Sequence, residues 1–179
     1  MSVRGRRFNP DPFDGLMSRL AMATADDSDP VIDEVVSDAL RVVREVLEMD
    51  VAFVSHLAQG QRIFRHVDLA PDAGSLIAVG GSDPLEISFC KRVIDGRLPE
   101  LVKDVAALPD AADLPPTSFP IGAHLSTPIV LEDGSIYGTL CCFSFAANEA
   151  LSERDIGRLR MAARLVGRLI DRSKAREQG

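Results

Sequence analysis

The spacing of apolar and polar positions divides the chain into a short series of elements. From Val31 to Met49, Ile32, Val35, Val36, Ala39, Val43, Val46 and Leu47 recur at three- and four-residue steps, with Asp33, Glu34, Asp38, Arg41 and Glu45 between them. That period predicts an amphipathic helix, although β-branched residues carry only modest helix propensity. Val51–Leu57 reads as a strand, Gln59-Gly60-Gln61 as a turn, and Arg62–Val67 alternates as a second strand. A weaker strand is expected over Ser75–Val79. Asp83 before Pro84, with Glu86 three residues after Asp83, reads as a helix start. Leu85, Phe89, Val93 and Ile94 give that helix an apolar face, and Gly96 ends it.

Leu98–Val105 reads as a short strand. Residues 106–120 hold Pro109, Pro115, Pro116 and Pro120, so a long loop with at most one helical turn is expected there. His124–Leu131 and Ser135–Phe145 are two apolar-rich runs joined by Glu132-Asp133-Gly134, whose Asp-Gly pair suits a tight hairpin turn. The second run is apolar on both faces, which predicts a central strand. Pro128 cannot donate to a ladder and belongs at an edge or a bulge. Ser152, with Asp155 three on, caps a helix running to about Ser173. Its seam of Ile156, Leu159, Ala163, Val166 and Ile170 lies beside a second seam of Ala162, Leu165 and Leu169. Two seams allow packing on the sheet and on a neighbour.

Strands that cluster, rather than alternating strictly with helices, predict an α+β fold with helices on the faces of an antiparallel or mixed sheet. Residues 1–30 read as an N-terminal extension and linker, with a short helix starting near Phe13. Residues 31–173 read as one domain and 174–179 as a tail. At 179 residues the chain is long enough to bury one core. Aromatics make up only 5%, with one Tyr and no Trp, so that core must be mostly aliphatic.

Charge and cysteine content narrow the function classes. A net charge of −7 argues against nucleic acid as a partner, and Arg4, Arg6 and Arg7 read as a solvated end. No apolar run is long enough for a membrane span, and no signal peptide is visible. The three cysteines form no disulfide framework: Cys141 and Cys142 are neighbours pointing to opposite faces of a strand. Free thiols suit a reducing cytoplasm, so a cytoplasmic domain is expected.

Candidate chemistry is sparse. Cys90 precedes Lys91, and a nearby ammonium lowers a thiol pKa, yet free cysteines mostly pack in cores. His124 shares a strand face with Ser126 and is a candidate hydrogen-bonding group or haem ligand; a structural histidine is the commoner case. His56 and His66 lie on the first two strands, and no pair has metal-ligand spacing. Neither a nucleophile elbow nor a phosphate-binding loop is present, so no catalytic residue and no metal site is assigned.

Ser88–Val105, SFCKRVIDGRLPELVKDV, and Ser118–Ser144, SFPIGAHLSTPIVLEDGSIYGTLCCFS, together with the helix–strand–strand opening, resemble a GAF domain from about Val31 to Ile170. The Pro128-Ile129 to Asp133-Gly134 to Tyr137-Gly138-Thr139-Leu140 phrase is the most specific part. The likeness is in particular to modules of bacterial signalling proteins. The resemblance implies a central antiparallel sheet of six strands, a small-molecule cavity on one sheet face, and a homodimer through the terminal helices. It also implies an output domain or partner protein. Placement within it puts Phe53, Ser55, Phe64, Phe89, Cys90, His124, Ser126, Tyr137 and Thr139 on the cavity wall. The family's motifs for particular ligands are missing. Cys90 is followed by Lys91 rather than by the His of tetrapyrrole attachment sites, and the cyclic-nucleotide signature is absent. Only Cys90 lies near the loop where sulfoxide-reducing members carry several cysteines. The expected role is a sensory or regulatory domain of unknown cofactor, not an enzyme. The alternatives are a Cys90-based redox enzyme or thiol sensor, and a tetrapyrrole- or haem-binding domain.

Overall fold

A computed structural model describes residues 11–25 and 32–178. The arginines at positions 4, 6 and 7 and the acidic linker at 26–30 lie outside them. The chain runs through α1 (Pro12–Ala25), α2 (Ile32–Val46), β1 (Val51–Ala58), β2 (Gln61–Leu69), β3 (Ser82–Pro84), α3 (Phe89–Ile94), β4 (Leu101–Val102), β5 (Ala123–Val130), β6 (Ile136–Ser144) and α4 (Glu153–Glu177). The six strands form one antiparallel sheet in the order β3-β2-β1-β6-β5-β4.

Tight turns place the two longest hairpins. Between β1 and β2, Gln59 and Gly60 both take positive φ (53° and 73°), the geometry whose twist matches paired strands. Between β5 and β6, Gly134 sits at φ 85° and Asp133 Oδ1 accepts from the Ser135 amide at 2.9 Å. The doubly apolar run ending at Phe145 forms β6, paired with β1 on one side and β5 on the other, as its pattern predicts. Pro128 pairs with Thr139, while β4 reaches only His124 and Leu125 on the far side of β5, so the missing donor faces an open edge.

Two irregularities decide which side chains share a face. In β2, Val54 pairs with His66 and Ser55 with Phe64, leaving Arg65 unpaired. In β6, Ile129 pairs with Gly138 and Val130 with Ile136, leaving Tyr137 unpaired. An extra residue reverses the alternation beyond it. Arg62 and Phe64 therefore share a face with Phe53 and Ser55, and Tyr137 leaves it.

One sheet face is covered by α1, α2 and α4. Ala52, Val54, Leu125, Leu140 and Cys142 pack there against Leu40, Val43, Leu159 and Val166 in one core. Ser152 and Asp155 make the expected capping box at the start of α4. The helix near Phe13 runs further than its sequence suggested: Phe13, Leu16 and Leu20 of α1 are buried in the same core. Both seams of α4 join that core, Ile170 only partly buried, so the second seam is packed inside the chain. Arg158 pairs with Asp11 and sits over the Phe13 ring, fixing α1 to α4.

Several local expectations fail on the other side. Ser75–Val79 forms no strand; the edge strand is Ser82–Pro84, aligned with Gln61–Ile63. Asp83 caps no helix, because its carboxylate bonds Arg62 across the strands. A 3-10 turn at Leu85–Ile87 intervenes, and Ser88 caps α3 by accepting from the Lys91 amide at 3.1 Å. The strand read over Leu98–Val105 shrinks to two residues, and the Pro-rich loop carries 3-10 turns at Val105–Ala107 and Ala111–Asp113.

Candidate functional site

The sheet face away from α1, α2 and α4 is not filled. Between it and a roof made by residues 76–89 and 116–121 lies a cavity of about 400 Å³. Phe53, Phe64, Phe89, Phe119 and Phe143 all line it, five of the eight phenylalanines in the chain. Phe53 and Phe64 meet edge to face at 5.0 Å, and Phe119 stacks on Phe143 at 5.3 Å. Such rings give a stiff apolar wall suited to a flat ligand.

At one end the wall is polar. The Arg62 guanidinium lies over both Phe53 (5.5 Å) and Phe64 (5.0 Å), while its Nε and Nη2 bond the two oxygens of Asp83 at 2.9 and 2.5 Å. Its remaining nitrogen, Nη1, donates to Cys90 Sγ at 3.4 Å. Burial opposes the charge on Arg62, but the Cys90 and Asp83 anions outweigh it and raise its pKa. Each of the three guanidinium nitrogens has a protein partner, so Arg62 is already engaged by Asp83 and Cys90.

Cys90 sits just behind this wall with no exposure. The Thr139 hydroxyl donates to its sulfur at 3.2 Å, and the Ser55 and Thr139 hydroxyls lie 2.7 Å apart. With the Thr139 proton on Cys90, Ser55 must donate to Thr139 Oγ1, and the Thr139 amide in turn donates to Ser55 Oγ at 3.3 Å. The chain of donors therefore ends on one sulfur. The neighbouring Cys141, then the charge of Arg62 and the Thr139 hydroxyl, outweigh burial and pull the Cys90 pKa down. Cys141 moves the other way: burial first, then the neighbouring Cys90, raise its pKa and keep it a thiol. Its sulfur lies 3.3 Å from His124 Nε2. Burial first, then Arg62, pushes His124 down to about 3, so the ring is neutral, and its Nδ1 has no partner.

Of the nine side chains read from sequence, Phe53, Phe64, Phe89 and His124 line the cavity. Ser55, Cys90 and Thr139 form the layer behind it. Ser126 is fully buried with its hydroxyl unbonded, outside the lining. Tyr137 stands on the opposite face, stacked on His56 at 4.3 Å with Lys174 5.6 Å above its ring, because the unpaired position turns it over. Cys141, read as plain core, is buried yet lines the cavity, whereas Cys142 lies in the helix-side core. Arg62, Asp83, Phe119 and Phe143 were missed. Arg62 flanks an apolar alternation, a signal that a buried cation shares the wall.

A sequence model of the GAF domain matches residues 31–171. The chain belongs to the GAF domain family. Family members are signalling and sensor modules, and here a cavity lies between one sheet face and the loops over it. Diguanylate cyclase DgcP of Escherichia coli (strain K12) is 28% identical over 172 residues, covering 92% of this chain and 47% of the cyclase. The chain thus spans about half the length of the curated relative it matches. The phycocyanobilin-bound GAF domain of a cyanobacterial phytochrome has a TM-score of 0.71 at 12% identity, over 93% of this chain and 98% of that one. Free methionine-R-sulfoxide reductase from Neisseria meningitidis, in complex with its substrate, has a TM-score of 0.68 at 16% identity, over 91% and 90%. These likenesses are of fold; one relative holds a pigment and the other acts on a substrate, so this GAF domain's own wall must indicate its chemistry.

Pigment sites fit that wall poorly. Cys90 lies behind Arg62 and Cys141, closed to a covalently attached four-ring chromophore. Iron ligation by His124 Nε2 would break its contact with Cys141, and Nδ1 is buried. Among the described residues no helix is long and apolar enough to cross a membrane.

Proposed function

We propose that this GAF domain is a sensor for a small, flat, mainly apolar molecule, and that occupancy is passed through β5 and β6 to α4. The observation that carries the reading is the concentration of five phenylalanines around a cavity of about 400 Å³ in a chain otherwise poor in aromatics. That size falls in the range of roughly 300–1,000 Å³ typical of small-molecule sites. Arg62 and Asp83 neutralise each other, so a ligand without net charge suits the wall better than a carboxylate or phosphate.

The route outward follows the strands. His124 and Cys141 touch the cavity from β5 and β6, and the opposite faces of those strands carry Leu125, Ile129 and Leu140 in the core they share with α4. The role is regulatory: an output domain or partner protein reads the position of α4. A homodimer, if formed, must use surfaces other than the two α4 seams, which are already packed.

A thermal-shift screen of neutral aromatic fragments tests the reading, run on the wild type and on Ile121→Trp, where an indole would fill the cavity from its lining. Hits should raise the wild-type Tm and lose their effect in the variant. Stabilisation that survives in Ile121→Trp would place binding elsewhere and overturn the proposal.

A further inference from the structure

The outward side of α4 carries side chains that neither the core nor the cavity uses. A groove of about 680 Å³ lies between α4 and the hairpin joining β5 to β6, with Val130 and Leu131 at the end of β5 on one side and Arg164, Arg168 and Ala175 on the other. Val130 is 51% exposed, and its cross-strand partner Ile136 is 42% exposed. Met161, also exposed, stands one turn before Arg164 on the same helix face. Three of the six exposed large apolar side chains among the described residues thus belong to the elements that frame this groove, a concentration that marks an interaction surface. The arginines of α4 divide by partner. Arg154 and Arg158 pair with Asp11, and Arg160 pairs with Glu100, whereas among the described residues Arg164 and Arg168 have no ion-pair partner. Both are exposed and one turn apart. Of the two carboxylates in the groove, Asp171 already accepts from the Glu132 amide at 2.9 Å. In a chain of net charge −7, three guanidinium groups facing two carboxylates are a local exception.

We propose that this groove is the docking site for an acidic amphipathic helix of a partner protein. Its apolar side chains cover Val130 and Ile136, and two carboxylates one turn apart meet Arg164 and Arg168, the complementarity that fixes register in helix-in-groove binding. Charge alone would also suit a phosphate-bearing surface. Nucleic acid, however, has nothing to set on the apolar strip, and a concave groove fits a helix better than a flat lipid surface. The position of the groove ties it to the cavity. Val130 ends the strand whose His124 lines the cavity. There α4 packs so closely that a Cβ on Gly167 would stand 3.0 Å from the Val130 carbonyl oxygen. A shift of β5 against α4 therefore changes the width of the groove. That last link rests on the sensor reading, whereas the docking surface does not.

The test titrates the protein with a lactam-bridged helical peptide that carries Leu along one face and Glu residues one turn apart beside it, read by amide NMR and fluorescence anisotropy. The same peptide with Lys in place of Glu is the control and should not bind. Saturable shifts should centre on Val130, Ile136, Arg164 and Arg168. Affinity should fall by about tenfold or more when Arg164→Glu and Arg168→Glu are combined. It should also fall in the wild type as ionic strength rises from about 0.1 M to about 1 M, which shortens the screening length from roughly 10 Å to 3 Å. Val130→Ser should weaken binding several-fold, and circular dichroism on each variant separates loss of binding from loss of fold. Absence of saturable shifts at the groove, or binding that survives the double charge reversal, would overturn the proposal. Dimerisation in light scattering that the double variant abolishes would do so too, because a second copy would then cover the groove. Cosedimentation of wild type, but not of the double variant, with phosphatidylcholine–phosphatidylglycerol vesicles would likewise overturn it in favour of a lipid surface. Fragments that bind while the peptide does not would strike the docking surface and leave the sensor reading. A peptide affinity that no bound fragment alters would strike only the link to the cavity.

Discussion

The two faces of the sheet come from the same strands and are built on different principles. Toward α1, α2 and α4, β1 and β6 present Ala52, Val54, Leu140 and Cys142, aliphatic or small side chains that interlock with the helices. Toward the cavity the intervening positions are Phe53, Ser55, Thr139, Cys141 and Phe143, which are aromatic, hydroxylic or thiol. Cys141 and Cys142 differ by one step along the strand and fall on opposite sides of this division. The helix side spends its side chains on packing, whereas the cavity side keeps rigid rings, buried polar partners and open volume. Stability and chemistry are thereby separated by the pleat.

The largest expected effect contrasts the faces directly. Leu140→Ala, in the filled core, should cost about 3–4 kcal/mol in urea unfolding and leave fragment binding intact. Phe64→Ala, buried against Phe53 and Arg62, should cost about 3 kcal/mol as well, yet abolish the fragment-induced Tm shift. Equal loss of fragment binding in the two variants would erase the distinction between a packed face and a site.

Acid should act mainly through the cavity face. His124 is neutral in the fold, held at about 3 against an ordinary value of 6.5 by burial and by Arg62, with Cys141 the other titratable group in contact. Its folded value is depressed, so its stabilising contribution is complete above 6.5 and lost as pH falls toward 3. Near pH 4.5 that loss amounts to about 2–3 kcal/mol. Urea titrations at neutral pH and at the lower pH should show this fall in the wild type and a correspondingly smaller one in His124→Gln. An identical fall in both would remove His124 from the account.

Paired cysteine substitutions sharpen the contrast on a finer scale. Cys142→Ser puts a hydroxyl among aliphatic side chains and should cost about 1–2 kcal/mol. Cys141→Ser places the hydroxyl beside His124 Nε2, where a partner exists, and should cost less than about 1 kcal/mol. Smallest of all, Tyr137→Phe should change stability by under about 0.5 kcal/mol and leave fragment affinity as it was, since the ring lies on the helix side.

Much of this division can be read from the sequence. The Asp133-Gly134 turn, the Ser152–Asp155 box and the spacing in α2 and α4 are local signals, and the structure honours each. The double apolarity of β6 correctly marked a strand covered on both sides. What failed depends on pairing between distant residues. No local pattern shows that Arg65 and Tyr137 are left unpaired, and those two positions decide that Arg62 and Phe64 face the cavity while Tyr137 does not. Asp83 has the sequence look of a helix cap and became a strand residue because Arg62 claims its carboxylate. Phe119 reaches the site from a loop whose path a Pro-rich sequence does not disclose.

The central claim is that ligand chemistry belongs to one face only. Methyl NMR on protein labelled at Ile, Leu and Val reads both faces at once while a fragment hit from the thermal screen is titrated. The account predicts saturable shifts that begin at the methyls of Leu76, Ile77 and Ile121 around the cavity, with those of Val43, Leu159 and Val166 in the helix-side core moving least. Shifts centred on the helix-side methyls, with Leu76, Ile77 and Ile121 unmoved, would contradict it.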